Sequence, residues 1–339
     1  MPTCVSGYRL VAAAVVLLGA GVSAAAPVET PYGAVSQPFE LQKVADVPVY
    51  YVVGRSGVPD AVNEGHTSNA GFVVTDDGVV VFDALGTPAL GYRLLQRIRE
   101  VTDKPVRHVV VSHYHADHIY GLQAFKEHAG DPLVWAHRGA LDYSGEHGGS
   151  PSDSAQRRLV QRREALFPWV DETTYVVPPD VVFEEAVWLE VGGVELEIRH
   201  MGPAHAPGDS IMIVRDHGVV FSGDVIYGGR IPFLDSPETD IDNWLGGLDY
   251  IAGLKGTITS IIPGHGAMSD DPQQAVDATR DYITDVRTAM AQAVADFTPF
   301  DQAYEDTDWS KYEELPAFDA SNRGNAYRIY LEEEARSLQ

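Results

Sequence analysis

Ser112-His113-Tyr114-His115-Ala116-Asp117-His118 sets three imidazoles and a carboxylate side by side, directly after the apolar run 106–111. In an extended segment alternate side chains share a face, so His113 and His115 can hold one cation together. Asp117 keeps that period of two at a turn into a helix. His118 breaks the period and so points elsewhere, toward a second ion nearby. Imidazole with carboxylate is a ligand set for zinc or iron. Histidine supplies only 12 of 339 residues, which makes a chance cluster of this density improbable.

Three later segments extend the set. Gly202-Pro203-Ala204-His205-Ala206-Pro207-Gly208-Asp209 puts His205 in a tight loop, Phe221-Ser222-Gly223-Asp224 ends an apolar run with a carboxylate, and Ile262-Pro263-Gly264-His265-Gly266 ends another with a histidine. Each side chain sits where a strand gives way to a loop stiffened by Gly or Pro, the place at which a rigid scaffold presents chemistry.

The elements that must position these groups follow from periodicity. Strands are expected at 49–53, 72–75, 79–82, 106–111 and 133–135, with a hairpin turn at Asp76-Asp77-Gly78. Helical spacing predicts helices at 88–101, 122–128 and, with a basic face, 155–166. The second half repeats the theme, with strands at 186–191, 194–200, 211–214, 219–221 and 258–262 and helices at 243–254 and 273–297. Two strand-rich halves, each followed by helices, imply two packed sheets with helices outside. Residues 298–339 are acidic and aromatic, end in a helix, and are expected to pack on the body rather than act as a lid over substrate.

Composition narrows the partners. The chain carries 24 Lys+Arg against 49 Asp+Glu, a formal charge of −25. Such a surface repels phosphate backbones and anionic lipid, so neither nucleic acid nor a membrane surface is an expected partner; a small molecule is. Arg9 followed by an apolar run over 10–22 and by Ser23-Ala24-Ala25 reads as an export signal at 1–25, giving a periplasmic or secreted protein. That run is too short for a stable membrane anchor. Residues 26–46 then form a leader, 47–297 the main domain and 298–339 an extension. The only cysteine, Cys4, lies in the signal, so the mature chain has neither disulfide nor thiolate ligand. The oligomeric state is left open.

This pattern resembles the metallo-β-lactamase-fold hydrolase superfamily over roughly residues 47–290: Asp83 in Val81-Phe82-Asp83, then the His-x-His-x-Asp-His cluster, His205, Asp224 and His265, in the family's order. The resemblance implies an α/β fold, a four-layer αβ/βα sandwich with the helical C-terminal extension added. It also implies a binuclear centre, with His113, His115 and His205 on one ion, Asp117, His118 and His265 on the other, Asp224 bridging, and Asp83 orienting from beneath. Two ions about 3.5–4 Å apart can hold a hydroxide between them and polarise a scissile carbonyl or phosphoryl oxygen. Asp117 can orient that water or take its proton. Zinc is the expected metal, two per chain, and iron or manganese would fit the same donors.

The expected activity is hydrolysis of a small ester, thioester or lactone. The aspartate at 224 resembles glyoxalase II and lactonases; the cysteine-containing β-lactamase subclasses carry a thiolate there, and a lysine where this chain has Tyr227. Tyr227 either polarises the carbonyl or packs. Arg230 is the nearest anion anchor, with Asn69 a second candidate for substrate contact. The export signal and Ser68-Asn69-Ala70-Gly71 resemble periplasmic metallohydrolases associated with sulfur oxidation and quinoprotein systems. Two alternatives remain, a class B-like β-lactamase and a mononuclear iron persulfide dioxygenase; the second has no use for His118, Asp224 and His265.

Overall fold

The valine-rich runs become strands buried on both faces. The computed structural model describes residues 26–145, 152–234, 236 and 238–338; the expected export signal and Cys4 lie outside them. The first sheet is built from β1 (Gln42–Lys43), β2 (Val49–Val52), β3 (Ala70–Val74), β4 (Val79–Phe82), β5 (Val106–Val110), β6 (Leu133–His137) and β7 (Val181–Phe183), paired in that order. Pairing is antiparallel as far as β4 and parallel from β4 to β7. The second sheet holds β8 (Ala186–Val191), β9 (Val194–His200), β10 (Ser210–Val214), β11 (Val219–Gly228) and β12 (Ser260–Gly266). Its order is β12-β11-β10-β9-β8, and only the β11–β12 pair is parallel.

The sheets face each other across Val80, Phe82, Val110, Leu196, Met212 and Phe221, with the Phe82 and Phe221 rings stacked 5.4 Å apart. Truncating either ring to alanine should cost about 3–5 kcal/mol, the usual penalty for a cavity in such a core. The outer face of the first sheet is covered by α1 (Pro88–Val101) and α3 (Leu122–His128), with α2 (Ala116–Ile119), α4 (Leu141–Ser144) and α5 (Asp153–Leu166) at its edge. α1 begins where expected because Thr87 caps it, accepting from Leu90 N, with Pro88 in the first turn. The second sheet is covered by α6 (Ile241–Gly253) and α7 (Pro272–Ala295), then by α8 (Phe300–Asp306) and α9 (Phe318–Ser337) of the extension. The result is the four-layer αβ/βα sandwich with added C-terminal helices. No helix among the described residues is long and apolar enough to cross a membrane.

Two strands run further than their text suggests, and both carry chemistry. β11 was expected to stop at Phe221, because Ser-Gly-Asp reads as a turn. Instead Gly223, at φ +50°, makes an irregularity and the strand resumes to Gly228. A Cβ at Gly223 would lie 2.5 Å from that of Ser112, so glycine is required there. β12 passes through Pro263 and Gly264 to Gly266, which an edge strand tolerates because one side of it needs no ladder hydrogen bond.

Candidate metal centre

The short turn after β5 presents His113 and His115, and α2 immediately carries Asp117 and His118. The loop between β9 and β10 brings His205, the irregularity in β11 turns Asp224 inward, and the end of β12 supplies His265. The potential ligand atoms of His113, His115 and His205 lie within 4.8 Å of one another, as do those of Asp117, His118 and His265. Asp224 stands between the two groups. Its Oδ2 is 3.5 Å from His205 Nε2 and 3.3 Å from His265 Nε2, and its Oδ1 is 3.3 Å from His118 Nε2.

In four of the five imidazoles the remaining ring nitrogen is tied down, which decides which atom faces the centre. His118 Nδ1 bonds Asp83 Oδ2 at 2.8 Å, His265 Nδ1 the Thr67 carbonyl at 2.7 Å, and His205 Nδ1 the Phe233 carbonyl at 3.0 Å. His113 Nδ1 lies 3.0 Å from Ser112 Oγ. Asp83 also accepts from Ser112 N and Oγ, so one carboxylate fixes both the start of the ligand turn and the His118 ring. It does so from φ +59°, in the left-handed region that costs most residues strain.

These residues fit a pair of divalent cations. His113 Nε2, His118 Nε2 and Asp224 Oδ1 are buried without a hydrogen-bond partner, an arrangement that costs free energy unless a cation shares them. His205 Nε2 and His115 Nδ1 approach to 2.8 Å, two nitrogens converging on one point. Charge follows the same logic. Burial pushes His113 and His115 well below the ordinary imidazole range, leaving their lone pairs free to coordinate. Burial also acts to lower His118, but Asp224, Asp117 and Asp83 together outweigh it and raise it, the mark of carboxylates that draw positive charge to this point. Burial acts to raise Asp224, yet His265 and His118 keep it ionised. The cage therefore favours positive charge at its centre.

A family model described as the metallo-beta-lactamase superfamily matches residues 64–265. The chain belongs to this superfamily. Among curated proteins it is 23% identical over 238 residues to a linear primary-alkylsulfatase of a Pseudomonas species, covering 61% of this chain and 43% of that one. It is 28% identical over 185 residues to hydroxyacylglutathione hydrolase GloC of Haemophilus influenzae, covering 54% and 78%. Among solved structures it superposes on the inverting sec-alkylsulfatase Pisa1 from Pseudomonas sp. with TM-score 0.63 at 20% identity, covering 87% of this chain and 50% of that one. A metallo-β-lactamase from Pontibacter korlensis gives TM-score 0.54 at 18% identity, covering 73% and 99%. The chain thus spans half or less of the two alkylsulfatases, and their likeness in structure is one of fold.

His115, Asp117, His205, Asp224 and His265 floor a cavity of about 540 Å³. Val58, Pro59 and Phe233 form apolar parts of its wall. The two expected substrate contacts, Arg230 and Asn69, are elsewhere, and of the two readings of Tyr227 the structure shows packing. Tyr227 is buried, stacks on His265 and donates its hydroxyl to Asp224 Oδ2 at 2.7 Å, so it positions the carboxylate and does not face the cavity. Burial, then the Asp224 charge, raises its phenol well above the ordinary range, which keeps that proton in place. Arg230 is only 3% exposed and lies over the Tyr227 and Phe233 rings, at 5.4 and 4.8 Å; it is no anion anchor at the cavity. Asn69 acts on backbone, donating to the Pro263 and Gly266 carbonyls and accepting from Gly54 N, which ties down the turn carrying His265.

Other cavity residues went unread in the sequence. Arg158 and Arg162 line the wall from α5, which the sequence marked only as a basic helix. Asp209 accepts from Ala206 N and holds the His205 loop closed.

Proposed function

We propose that this chain is a binuclear zinc hydrolase that cleaves a small carbonyl ester, thioester or lactone. The observation that carries the reading is the convergence of His113, His115 and His205, and of Asp117, His118 and His265, on either side of Asp224. These residues would hold two divalent ions, whose Lewis acidity would lower the pKa of bound water and polarise the scissile group. The chain's own residues do the rest. Asp83 and the Thr67 and Phe233 carbonyls fix ring orientation, so the donor atoms need little rearrangement. Tyr227 holds Asp224 ionised and aimed. Asp117 faces the cavity with one oxygen 3.3 Å from Thr67 Oγ1, placed to take a proton from an attacking water and pass it to the leaving group.

A second reading, cleavage of an alkyl sulfate ester, draws on the likeness to the linear primary-alkylsulfatase. The apolar run and small residues before residue 26 support export, which would place either reaction in the periplasm or outside the cell on a small-molecule substrate.

Metal analysis of purified protein, followed by assay of the zinc-loaded form, tests the proposal. The panel comprises an aryl ester, a thioester, a lactone, an alkyl sulfate and a chromogenic cephalosporin. About two zinc per chain and turnover of a carbonyl ester class support the first reading. Turnover of the alkyl sulfate alone moves the conclusion to the second, and a single iron per chain removes both.

A further inference from the structure

α5 carries Arg158 and Arg162 one helical turn apart, a spacing that sets both guanidiniums on one face. That face packs toward α2, which bears Asp117 and His118, and both arginines line the cavity above the candidate metal centre. Their neighbour Arg163 has an ordinary structural task, donating to the Asp171 and Thr174 carbonyls and closing the turn beyond the helix. Arg138, Arg199, Arg215 and Arg287 each pair with a carboxylate. Arg158 and Arg162 form no ion pair among the described residues. Arg158 lies flat over the Tyr143 ring at 5.1 Å, and Arg162 Nε is buried without a hydrogen-bond partner. In a chain where acidic groups outnumber basic ones 49 to 24, two guanidiniums that pair with no carboxylate among the described residues, at the mouth of one cavity, call for a ligand. Of the acidic groups lining that cavity, Asp117 and Asp224 belong to the candidate metal centre, and Glu238 is exposed and accepts from Ser236.

Arg158 also borders an adjoining cavity of about 170 Å³, walled by Tyr114, Tyr143, Ala140 and Pro207. It therefore stands where the two spaces meet. A guanidinium offers paired N–H donors in a planar fork that matches carboxylate or sulfate oxygens, whereas a neutral ester offers it no such partner.

We propose that Arg158 and Arg162 form a receptor for an oxyanion of the substrate, so that the enzyme acts on acidic esters in preference to neutral ones. The oxyanion is either a carboxylate remote from the scissile bond or the sulfate group of a sulfate ester. This rests on the hydrolase reading above, but oxyanion binding can be measured without turnover.

The test uses zinc-loaded protein and matched esters, mono-4-nitrophenyl glutarate against 4-nitrophenyl pentanoate, with decyl sulfate as a third substrate. Wild type should favour the glutarate in kcat/KM by about 10- to 100-fold, the range expected for hydrogen bonds to a charged group. In the Arg158→Gln, Arg162→Gln double variant that ratio should fall to about one, and the corresponding double lysine variant should retain part of it. Calorimetric titration of glutarate and of sulfate should show binding to wild type that the glutamine variant lacks. Arginine-dependent turnover of decyl sulfate assigns the oxyanion to the scissile group; an arginine-dependent glutarate preference assigns it to a remote carboxylate. If no ester is cleaved, the hydrolase reading fails while arginine-dependent anion binding still upholds the receptor. An undiminished ratio in the glutamine variant, or binding of neither anion by wild type, overturns it.

Discussion

Replacing Asp83 by Asn changes almost no volume, and Asn is among the few residues that accept φ +59° without much strain. The change is therefore one of donors and acceptors. Asp83 accepts from Ser112 N at 2.7 Å, from Ser112 Oγ at 2.8 Å and from His118 Nδ1 at 2.8 Å. The amide oxygen of Asn can still receive Ser112 N. Its NH2 must face the other two, and Ser112 Oγ can adapt by accepting from that NH2, as it already accepts from His113 Nδ1 at 3.0 Å, with its own proton turned aside. His118 cannot adapt without moving its own proton from Nδ1 to Nε2, the atom that faces Asp224. The cost thus falls on the cation held by Asp117, His118 and His265. Loss of such an outer partner weakens metal binding by about 10- to 100-fold, about 1.4–2.7 kcal/mol. Competition titration of metal-free protein against a chromophoric chelator should give two affinities in wild type. In Asp83→Asn the weaker step should move by that factor while the step assigned to His113, His115 and His205 stays within about threefold. Equal weakening of both steps, or a shift below twofold, would refute the assignment.

Tyr227→Phe keeps the stack on His265 and removes the hydrogen bond to Asp224, so kcat should fall by up to about tenfold with KM unchanged. A raised KM would return the phenol to the substrate's side. His66 is 2% exposed and stacked on Phe39, and burial, reinforced by the Arg55 charge, pulls it from 6.5 to about 4. The unfolded chain binds this proton first on acidification, so stability is full above pH 6.5 and declines as pH falls toward about 4, by about 3 kcal/mol. Urea unfolding of chelated protein at pH 7 and pH 4 should show that acid loss reduced in His66→Phe, and an unchanged loss would exclude His66 as its source. Asn325→Ala should destabilise by about 2–4 kcal/mol in the same assay at pH 7, because it strands Leu234 N and the Pro232 carbonyl. A change under 0.5 kcal/mol would mean water replaces the amide, at about the cost of an ordinary surface substitution.

The layered fold was legible because its signals are local: Pro88 behind Thr87, Gly192-Gly193 between two alternating runs, and valine runs that suit strands covered on both faces. The seven metal-facing side chains were legible for a related reason, since a motif of short spacing marked the first four and glycine-bounded strand ends marked the rest. What failed was direction. Tyr227 stands where the β-lactamases carry a lysine, which left polarising and packing both open, and Arg230 was marked only by its nearness to Asp224. The irregularity in β11 breaks the alternation, and Arg230 folds beneath the aromatic rings. Asn69 was noticed for its chemistry, but its amide is consumed by backbone two hundred residues away. Arg158 and Arg162 could not be told from a solvated basic face until the packing of α5 against α2 was known. The small elements β1, β7 and α2 escaped because two to four residues carry no period.

The donors around each cation position come from both sheets: His113 and His115 follow β5 while His205 precedes β10, and Asp117 and His118 meet His265 from β12. Metal bound there would rivet the two halves together, in a chain whose single cysteine allows no intrachain disulfide. Catalytic loading and mechanical integrity then become one quantity. Chelation should loosen the seam between the sheets as well as silence the proposed hydrolysis, and metal supply would then set how long the protein survives as well as how fast it works.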